Sequence, residues 1–369
     1  MIKRLLIANR GEIAVRIIRA CREMGIATIA VCSTADKESL HAQLADECIC
    51  IGSERPKDSY LNMESILSAA IVTGAQAIHP GFGFLSENTK FARMCQQCGI
   101  AFIGPSPEVM DQMGNKAEAR KTMMQANVPV IPGGKDALTD AKEGKLLAEK
   151  IGYPVIIKAS AGGGGKGMRV AFSKEEFEDL FRMAQQETQK AFGDHHMYLE
   201  KYLGNARHIE IQILADKYGN TVHLGERDCS IQRKHQKMIE ESPALFLSDH
   251  TRKQMGEAAI RAAKAVGYYS AGTIEFLVDT DGAFYFMEMN TRIQVEHPVT
   301  EMVTGVDLIK QMILISAGEK LPFSQKEIQV KGHAIECRIS AEDPEKQFMP
   351  CSGTIENLHL PGGKDIRVD

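Results

Sequence analysis

Residues 272–299, GTIEFLVDTDGAFYFMEMNTRIQVEHPV, constrain the fold more than any other stretch. Two apolar runs, 273–278 and 284–289, flank Asp281-Gly282, and that pattern predicts a β-hairpin. Side chains alternate along a strand, so Glu288 and Asn290 project from one face of the second run. Glu275 sits on the partner strand. Two carboxylates and an amide oxygen crowded on a hairpin face are costly unless a cation lies between them. Oxygen-only ligands suit a hard ion, Mg²⁺ or Mn²⁺, and such ions usually also hold substrate phosphates. Directly after the hairpin, Arg292-Ile293-Gln294-Val295-Glu296-His297-Pro298 adds a cation, an amide and a carboxylate. A solvated sheet face explains any one of these residues. It does not explain the set.

Composition excludes several classes. The net charge is −4 over 369 residues, so no global basic field draws nucleic acid or an anionic membrane. No apolar run approaches the roughly 20 residues of a membrane span. The opening MIKRLLIANRGE reads as a first strand rather than a signal segment, and the expected location is the cytoplasm. The nine cysteines cannot all pair, and they are expected to be reduced and packed as small hydrophobes. Cys95-Gln96-Gln97-Cys98 is a single CxxC without a second pair or a nearby His, so zinc and redox roles are not assigned to it.

Along the chain, residues 3–8 read as a buried strand. Ile13, Ile17, Cys21 and Met24 form one helical face that ends at Gly25, and 26–32 is a second strand. This βαβ opening carries one glycine in its first turn, too few for a dinucleotide fingerprint. The α/β alternation continues to 105, giving one doubly wound parallel-sheet domain over 1–105. Gly104-Pro105-Ser106-Pro107 marks its boundary. A helix is expected over 106–127, with Lys116 in it. The strand 154–159 contains Lys158 and leads into Ser160-Ala161-Gly162-Gly163-Gly164-Gly165-Lys166-Gly167. The run 168–172 after it reads as a strand, so neither a Rossmann turn nor a Walker A loop fits. What remains is a strand–glycine flap–strand hairpin whose N–H groups can face an anion. A helix over 173–190 and a strand over 197–203 follow. Residues 207–214 alternate strictly, placing His208, Glu210 and Gln212 on one face. Gln232, His235 and Lys237, from a charged stretch without a simple period, are candidates to line a cleft. Helices over 248–266 and 307–317, a strand over 332–340 with Arg338 on the face of Glu336, and a last strand-like run before Asp369 complete the reading.

Seven motifs in order resemble one family: Arg-Gly-Glu-Ile-Ala at 10–14, His-Pro-Gly-Phe-Gly-Phe-Leu-Ser-Glu-Asn at 79–88, the flap at 162–168, Glu-Arg-Asp-Cys-Ser at 226–230, Gln-Arg-Lys-His-Gln-Lys at 232–237, Glu-Met-Asn-Thr-Arg-Ile-Gln-Val-Glu-His at 288–297 and Glu-Cys-Arg-Ile at 336–339. They make the chain similar to the biotin carboxylases of the ATP-grasp superfamily, the component found in acetyl-CoA carboxylase. The resemblance implies an α/β fold: a pre-ATP-grasp domain over 1–105, an ATP-grasp domain over 106–330 with a mobile flap subdomain at about 130–203, and the start of an α+β carboxy-terminal domain over 331–369. It implies that Lys116, Lys158 and the flap glycines Gly163, Gly164 and Gly165 contact ATP phosphates, with Met168 beside them. Glu200, Lys201 and Leu203 would hold adenine, Tyr202 and Leu277 would also bind ATP, and His208, Gln232 and His235 would lie near the ribose and phosphates. Glu275, Glu288 and Asn290 would hold two ions, Mg²⁺ or Mn²⁺. Lys237, Arg292, Gln294, Val295 and Glu296 would cradle bicarbonate, with Glu296 as general base. Arg338 would stabilise the biotin enolate, and Phe82 would line the biotin site.

The implied reaction carboxylates biotin through carboxyphosphate, giving ADP and phosphate, the first half-reaction of acetyl-CoA carboxylase in fatty-acid synthesis. Biotin is then a substrate carried by a biotin carboxyl carrier protein, since no Met-Lys-Met attachment motif occurs here. Carboxyltransferase subunits and a second copy in a homodimer are the other implied partners. Two departures stand out. Phe82 replaces a tyrosine usual in the family, and the family's last domain extends past residue 369, so a truncated third domain is expected. Alternatives remain open: a biotin carboxylase part of a pyruvate, propionyl- or methylcrotonyl-CoA carboxylase, another ATP-grasp ligase, or a nucleotide-binding regulator that kept the fold.

Overall fold

A computed structural model describes residues 2–134, 137–159, 167–192, 195–234 and 236–369. The chain forms two compact units, one of Met1–Val128, His208–Glu275 and Glu288–Asp369, the other of Pro129–Arg207 and Phe276–Met287.

The first unit opens with β1 (Arg4–Ile7), α1 (Gly11–Glu23), β2 (Ala27–Ser33), α2 (Leu40–Leu44), β3 (Glu47–Gly52), α3 (Met63–Val72), β4 (Ala77–His79), α4 (Thr89–Gln97) and β5 (Ala101–Phe102). All these strands pair in parallel, in the order β3-β2-β1-β4-β5. A parallel sheet is covered on both faces, which explains why Leu5, Leu6 and Ile7 of β1 are all apolar and buried. Leu5 and Ile7 join one core cluster while Leu6 and Ala8 join the other. Helix α1 buries Ile13, Ile17 and Cys21 as the spacing requires, and Gly25 (φ 68°) supplies the left-handed residue after its end. The strand order reverses between β1 and β4, the place where doubly wound sheets open a crevice. There the Asn9 amide donates to the carbonyls of Pro80 (2.7 Å) and Phe82 (2.8 Å), tying the two loops together.

The single helix expected over 106–127 is two, α5 (Pro107–Gly114) and α6 (Lys116–Gln125). Asn115 between them is extended (φ −89°, ψ 107°), and its side-chain oxygen accepts from Glu118 N at 3.2 Å. An asparagine that caps a new helix competes with continuing the old one.

The second unit contains α7 (Ala141–Ile151), β6 (Val155–Ala159), β7 (Arg169–Ala171), α8 (Lys174–Phe192) and β8 (Met197–Lys201). Its sheet β7-β6-β8 is antiparallel. Phe177 and Phe181 of α8 pack on Val155, Ile157 and Leu199. They also require Gly144 in α7, where an added Cβ would come within 3.2 Å of both rings. The two strands of the expected flap hairpin are present and paired, Val155 opposite Ala171. The glycines Gly163, Gly164 and Gly165 lie outside the described residues.

The remainder is β9 (Arg207–Ala215), β10 (Thr221–Arg233), β11 (Gln236–Ser242), α9 (Asp249–Ala265), β12 (Ser270–Val278), β13 (Phe284–Asn290), α10 (His297–Thr304), α11 (Leu308–Ser316) and β14 (Ala334–Cys337). These strands form a sheet in the order β13-β12-β9-β10-β11-β14, and Glu342–Asp343 pairs antiparallel with Met349–Pro350 apart from it. The hairpin β12–β13 stands where the Asp-Gly turn puts it. The strand-like run before Asp369 forms no strand, and the residues there are mostly exposed. The cysteines also depart from expectation: Cys48, Cys50, Cys98, Cys337 and Cys351 are exposed, and only Cys21, Cys32, Cys95 and Cys229 are buried. Among the described residues, no helix is long and apolar enough to cross a membrane.

Leu6 sits at the centre of the parallel sheet with no exposed surface. Leu6→Ala is expected to lower the unfolding free energy by about 2–5 kcal/mol, because both transfer energy and a cavity count against it. Urea denaturation measures this, and an unchanged midpoint would contradict the assigned packing.

Candidate active site

The site is built around a guanidinium. Arg227 of β10 is fully buried, and all five of its N–H groups are used. Nε donates to Glu210 Oε1. Nη1 donates to Gln212 Oε1 (2.6 Å) and Thr300 Oγ1 (2.9 Å). Nη2 donates to Thr273 Oγ1 (3.1 Å) and Gln294 Oε1 (2.8 Å). The alternation of β9 puts Glu210 and Gln212 on one face, the alternation of β12 puts Thr273 and Glu275 on one face, and α10 contributes Thr300. A planar fork with five donors can join that many elements, whereas an ammonium cannot.

Glu210 turns its other oxygen to Lys237 of β11. The Lys237 ammonium also donates to Glu275 Oε1 (3.0 Å) and Glu296 Oε1 (2.6 Å). Burial works against this charge, yet Glu210, Glu296 and Glu275 outweigh it and hold the lysine pKa far above its usual range. Burial likewise opposes ionisation of Glu210 and Glu275. Arg227 and Lys237 nonetheless pull Glu210 well below the carboxylate range, and His208 and Lys237 do the same for Glu275. His208 Nε2 lies 2.8 Å from Glu275 Oε2, and Gln232 Nε2 lies 2.9 Å from His208 Nδ1.

The loop after β13 completes the arrangement. Glu296 is 2% exposed, and its second oxygen accepts from Arg338 Nη2 at 2.9 Å. Arg338 Nε donates to Glu240 Oε1 at 2.6 Å. With Oε1 fixed by Arg227, the Gln294 amide points its nitrogen at Glu275 Oε1, 2.9 Å away. Arg292 donates to Glu87 Oε2 (2.9 Å) and Asn290 Oδ1 (2.9 Å). Asn290 Nδ2 donates to Glu275 Oε1 at 2.7 Å. Among the described residues, the Val295 N–H has no partner.

The structure therefore gathers Lys237, Arg292, Gln294, Val295, Glu296, Arg338, His208, Gln232, Glu275, Glu288 and Asn290 within the first unit. Lys116 opens α6, and its charge acts on Glu288. Phe82 is half-buried against the core of that unit. In the second unit, Lys158 donates to Glu200 Oε2, and the Lys201 ammonium holds the carbonyls of Gly152 and Tyr153, each at 2.9 Å. Tyr202 meets Phe172 edge-on with centroids 6.1 Å apart. Met168, Leu203 and Leu277 are half-buried there. His235 lies outside the described residues. Sequence reasoning gave no role to Arg227, Glu87 or Glu240. The signal for Arg227 was present: Glu226-Arg227-Asp228 breaks every surface period, as buried charges do.

The acidic groups fit a divalent ion. Burial, and then the neighbouring charge of Glu275, pushes the Glu288 carboxyl above its usual range. The donors Glu275, Glu288 and Asn290 are all oxygen. Two other close groups, His208 with Glu210 and Glu275, and Glu210 with Cys229 and Glu296, already have a cation in the Lys237 ammonium, which pairs with all three of these glutamates.

Comparison with known proteins agrees with this chemistry. The profile "Biotin carboxylase, N-terminal domain" matches residues 1–110. "Carbamoyl-phosphate synthase L chain, ATP binding domain" matches 115–324, and "Biotin carboxylase C-terminal domain" matches 336–369. Biotin carboxylase 1 of Bacillus subtilis is 58% identical over 370 residues, covering 100% of this chain and 82% of that one. The biotin carboxylase–βγ-ATP complex of Campylobacter jejuni superposes with a TM-score of 0.91 at 54% identity, over 100% of this chain and 82% of that one. The biotin carboxylase domain dimer of the Hydrogenobacter thermophilus 2-oxoglutarate carboxylase, in complex with MgADP, ADP and bicarbonate, gives 0.88 at 53% identity, over 98% and 80%. With the resemblance running along the whole sequence and the charged cluster in place, this chain belongs to the biotin carboxylase family of ATP-grasp ligases.

Proposed function

We propose that the residues around Lys237 bind bicarbonate and activate it against the terminal phosphate of ATP, in the ATP-dependent carboxylation of biotin. The carrying observation is the position of Glu296: a buried carboxylate touched on one side by Lys237 and on the other by Arg338. Bicarbonate becomes an effective nucleophile on losing its remaining proton, and Glu296 is the base that takes it. Lys237, Arg292, the Gln294 amide and the Val295 N–H hold the anion in line with the phosphoryl group. Lys116, Lys158, His208, Gln232 and His235 attend the phosphates and ribose, and the glycine flap excludes water from carboxyphosphate. Glu200, Lys201, Tyr202, Leu203 and Leu277 take the base. Glu275, Glu288 and Asn290 would hold the two divalent ions, which would offset the negative charge of the phosphates during phosphoryl transfer.

Carboxyphosphate then gives CO₂ and phosphate, and the phosphate takes the N1′ proton of biotin. Arg338 meets the enolate oxygen. Its Nε and Nη2 are engaged by Glu240 and Glu296, while Nη1 has no partner among the described residues. Arg suits this role because it stays charged. Biotin arrives on a carrier protein and leaves to a carboxyltransferase, and the chain pairs with a second copy. The dimer of the Hydrogenobacter domain supports that last reading. The free cysteines fit the reducing cytoplasm.

The assay is ADP release from MgATP, dependent on bicarbonate and stimulated by free biotin. Glu296→Gln is expected to lower its kcat by about 10²–10⁴-fold, the usual worth of a positioned base, with the KM for ATP little changed. Undiminished turnover would remove Glu296 from the mechanism.

A second expectation concerns Glu336, which sits directly opposite Glu240 in the β14–β11 register. Burial, then Glu240 and Glu296, push its carboxyl up to about 8, and its Oε2 has no hydrogen-bond partner. An acid whose folded pKa exceeds its unfolded value binds more protons when folded, so it makes stability fall as pH rises between the two. That window runs from about 4.3, the ordinary glutamate value, upwards. Glu336→Gln is expected to flatten the pH slope of stability between pH 5 and 8 and to raise the midpoint at pH 8. An unchanged slope in urea melts would show that Glu336 is ionised throughout.

A further inference from the structure

A pair of thiols lies at the edge of the parallel sheet, far in sequence from the charged cluster around Arg227. Strands β2 and β3 run side by side with Ala30 opposite Cys48 and Cys32 opposite Cys50. Side chains two apart on a strand share a face, so Cys48 and Cys50 flank Cys32 on the same surface. Cys32 is 3% exposed, whereas Cys48 and Cys50 are exposed. The Cys50 thiol donates to the Gly52 carbonyl at 3.7 Å. Cys32 and Cys50 face each other across strands about 4.8 Å apart, inside the Cα separation of about 4.4–6.8 Å that a disulfide tolerates, whereas Cys48, opposite Ala30 and diagonal to Cys32 at about 7–8 Å, falls outside it. A reduced core cysteine needs no such neighbours, and β3, as the edge strand, leaves the two outer thiols open to small reagents.

We propose that Cys32 and Cys50 form a peroxide-oxidisable site in which the buried Cys32 is the resolving thiol for the exposed Cys50. The exposed thiol attacks peroxide, giving a sulfenic acid and one water. Cys32 then displaces hydroxide from that sulfur, giving a disulfide and a second water. Peroxide takes up the two electrons, and both thiol protons leave in the waters. Burial, followed by contact with Cys48, pushes the Cys32 thiol up to about 12, which suits a second thiol that waits for an activated partner. The disulfide staples the edge strand to its neighbour without touching the carboxylation site.

The test uses the full chain treated with equimolar hydrogen peroxide, blocked with iodoacetamide and digested with trypsin without reduction. Cys32 falls in the peptide 23–37, and Cys48 and Cys50 fall together in 38–57 because Arg55 precedes a proline. Expected is a crosslink between these two peptides that dithiothreitol reverses. It should vanish in Cys32→Ser, while bicarbonate-dependent ADP release by that variant stays at the wild-type rate. The double variant Cys48→Ser/Cys50→Ser, altered at exposed positions, should leave Cys32 fully alkylated after peroxide. Cys32 remaining alkylated in the wild-type protein overturns the proposal, whether the outer thiols are untouched, carried to sulfinic acids, or joined to each other within 38–57.

Discussion

The fork of Arg227 is the contact on which the rest depends. It holds Glu210, Gln212, Thr273, Thr300 and Gln294, which arise from two strands, a loop and a helix widely spaced in sequence. A guanidinium without exposed surface is tolerable only because every N–H has an acceptor and a carboxylate lies against it. The consequence runs outward in two directions. Through Glu210 it sets where the Lys237 ammonium rests, and through Gln294 it sets which end of that amide faces the acidic group. The orientation of the anion pocket is therefore decided by a residue that need never touch a substrate.

Charge balance sharpens the same point. Arg227 and Lys237 sit among Glu210, Glu275 and Glu296, with Arg338 closing the far side of Glu296 and Glu240 closing the far side of Arg338. Removing one member of such a lattice leaves a buried charge unpaired, which costs more than the pair itself contributes. The lattice thus preorganises donors before any phosphate or carbonate arrives, which is where electrostatic catalysis gains most. Glu288 stands apart from it. Burial and the charges of Glu275 and Glu87 raise its carboxyl, and the charges of Lys116 and His208 offset them only in part.

Much of this was legible in the sequence. The hairpin with Glu275, Glu288 and Asn290 follows from an Asp-Gly turn and strand alternation, both local rules. The parallel amino-terminal sheet follows from βαβ periodicity, and Ser248 and Asp307 mark the starts of α9 and α11 as capping residues should. The burial of Arg227 left a local trace in Glu226-Arg227-Asp228, but its partners and the role of Glu240 were not legible, because they lie many residues away on other strands and no local period carries that information. The helix break at Asn115 was a matter of one cap outcompeting continued helix. The exposure of Cys48 and Cys50 depends on β3 being an edge strand, which strand order, and not strand sequence, decides.

The most direct measurement is the steady-state KM for bicarbonate of Arg227→Lys, set beside its KM for ATP and its circular dichroism. The lysine keeps the buried charge for Glu210 but lacks the fork that orients Gln294. Hydrogen bonds to charged groups contribute about 1.5–3 kcal/mol, so a rise in the bicarbonate KM of about 10–100-fold is predicted, with the fold intact and the KM for ATP within about twofold of wild type. A folded variant that binds bicarbonate as tightly as the wild type would show that the anion pocket does not depend on this residue.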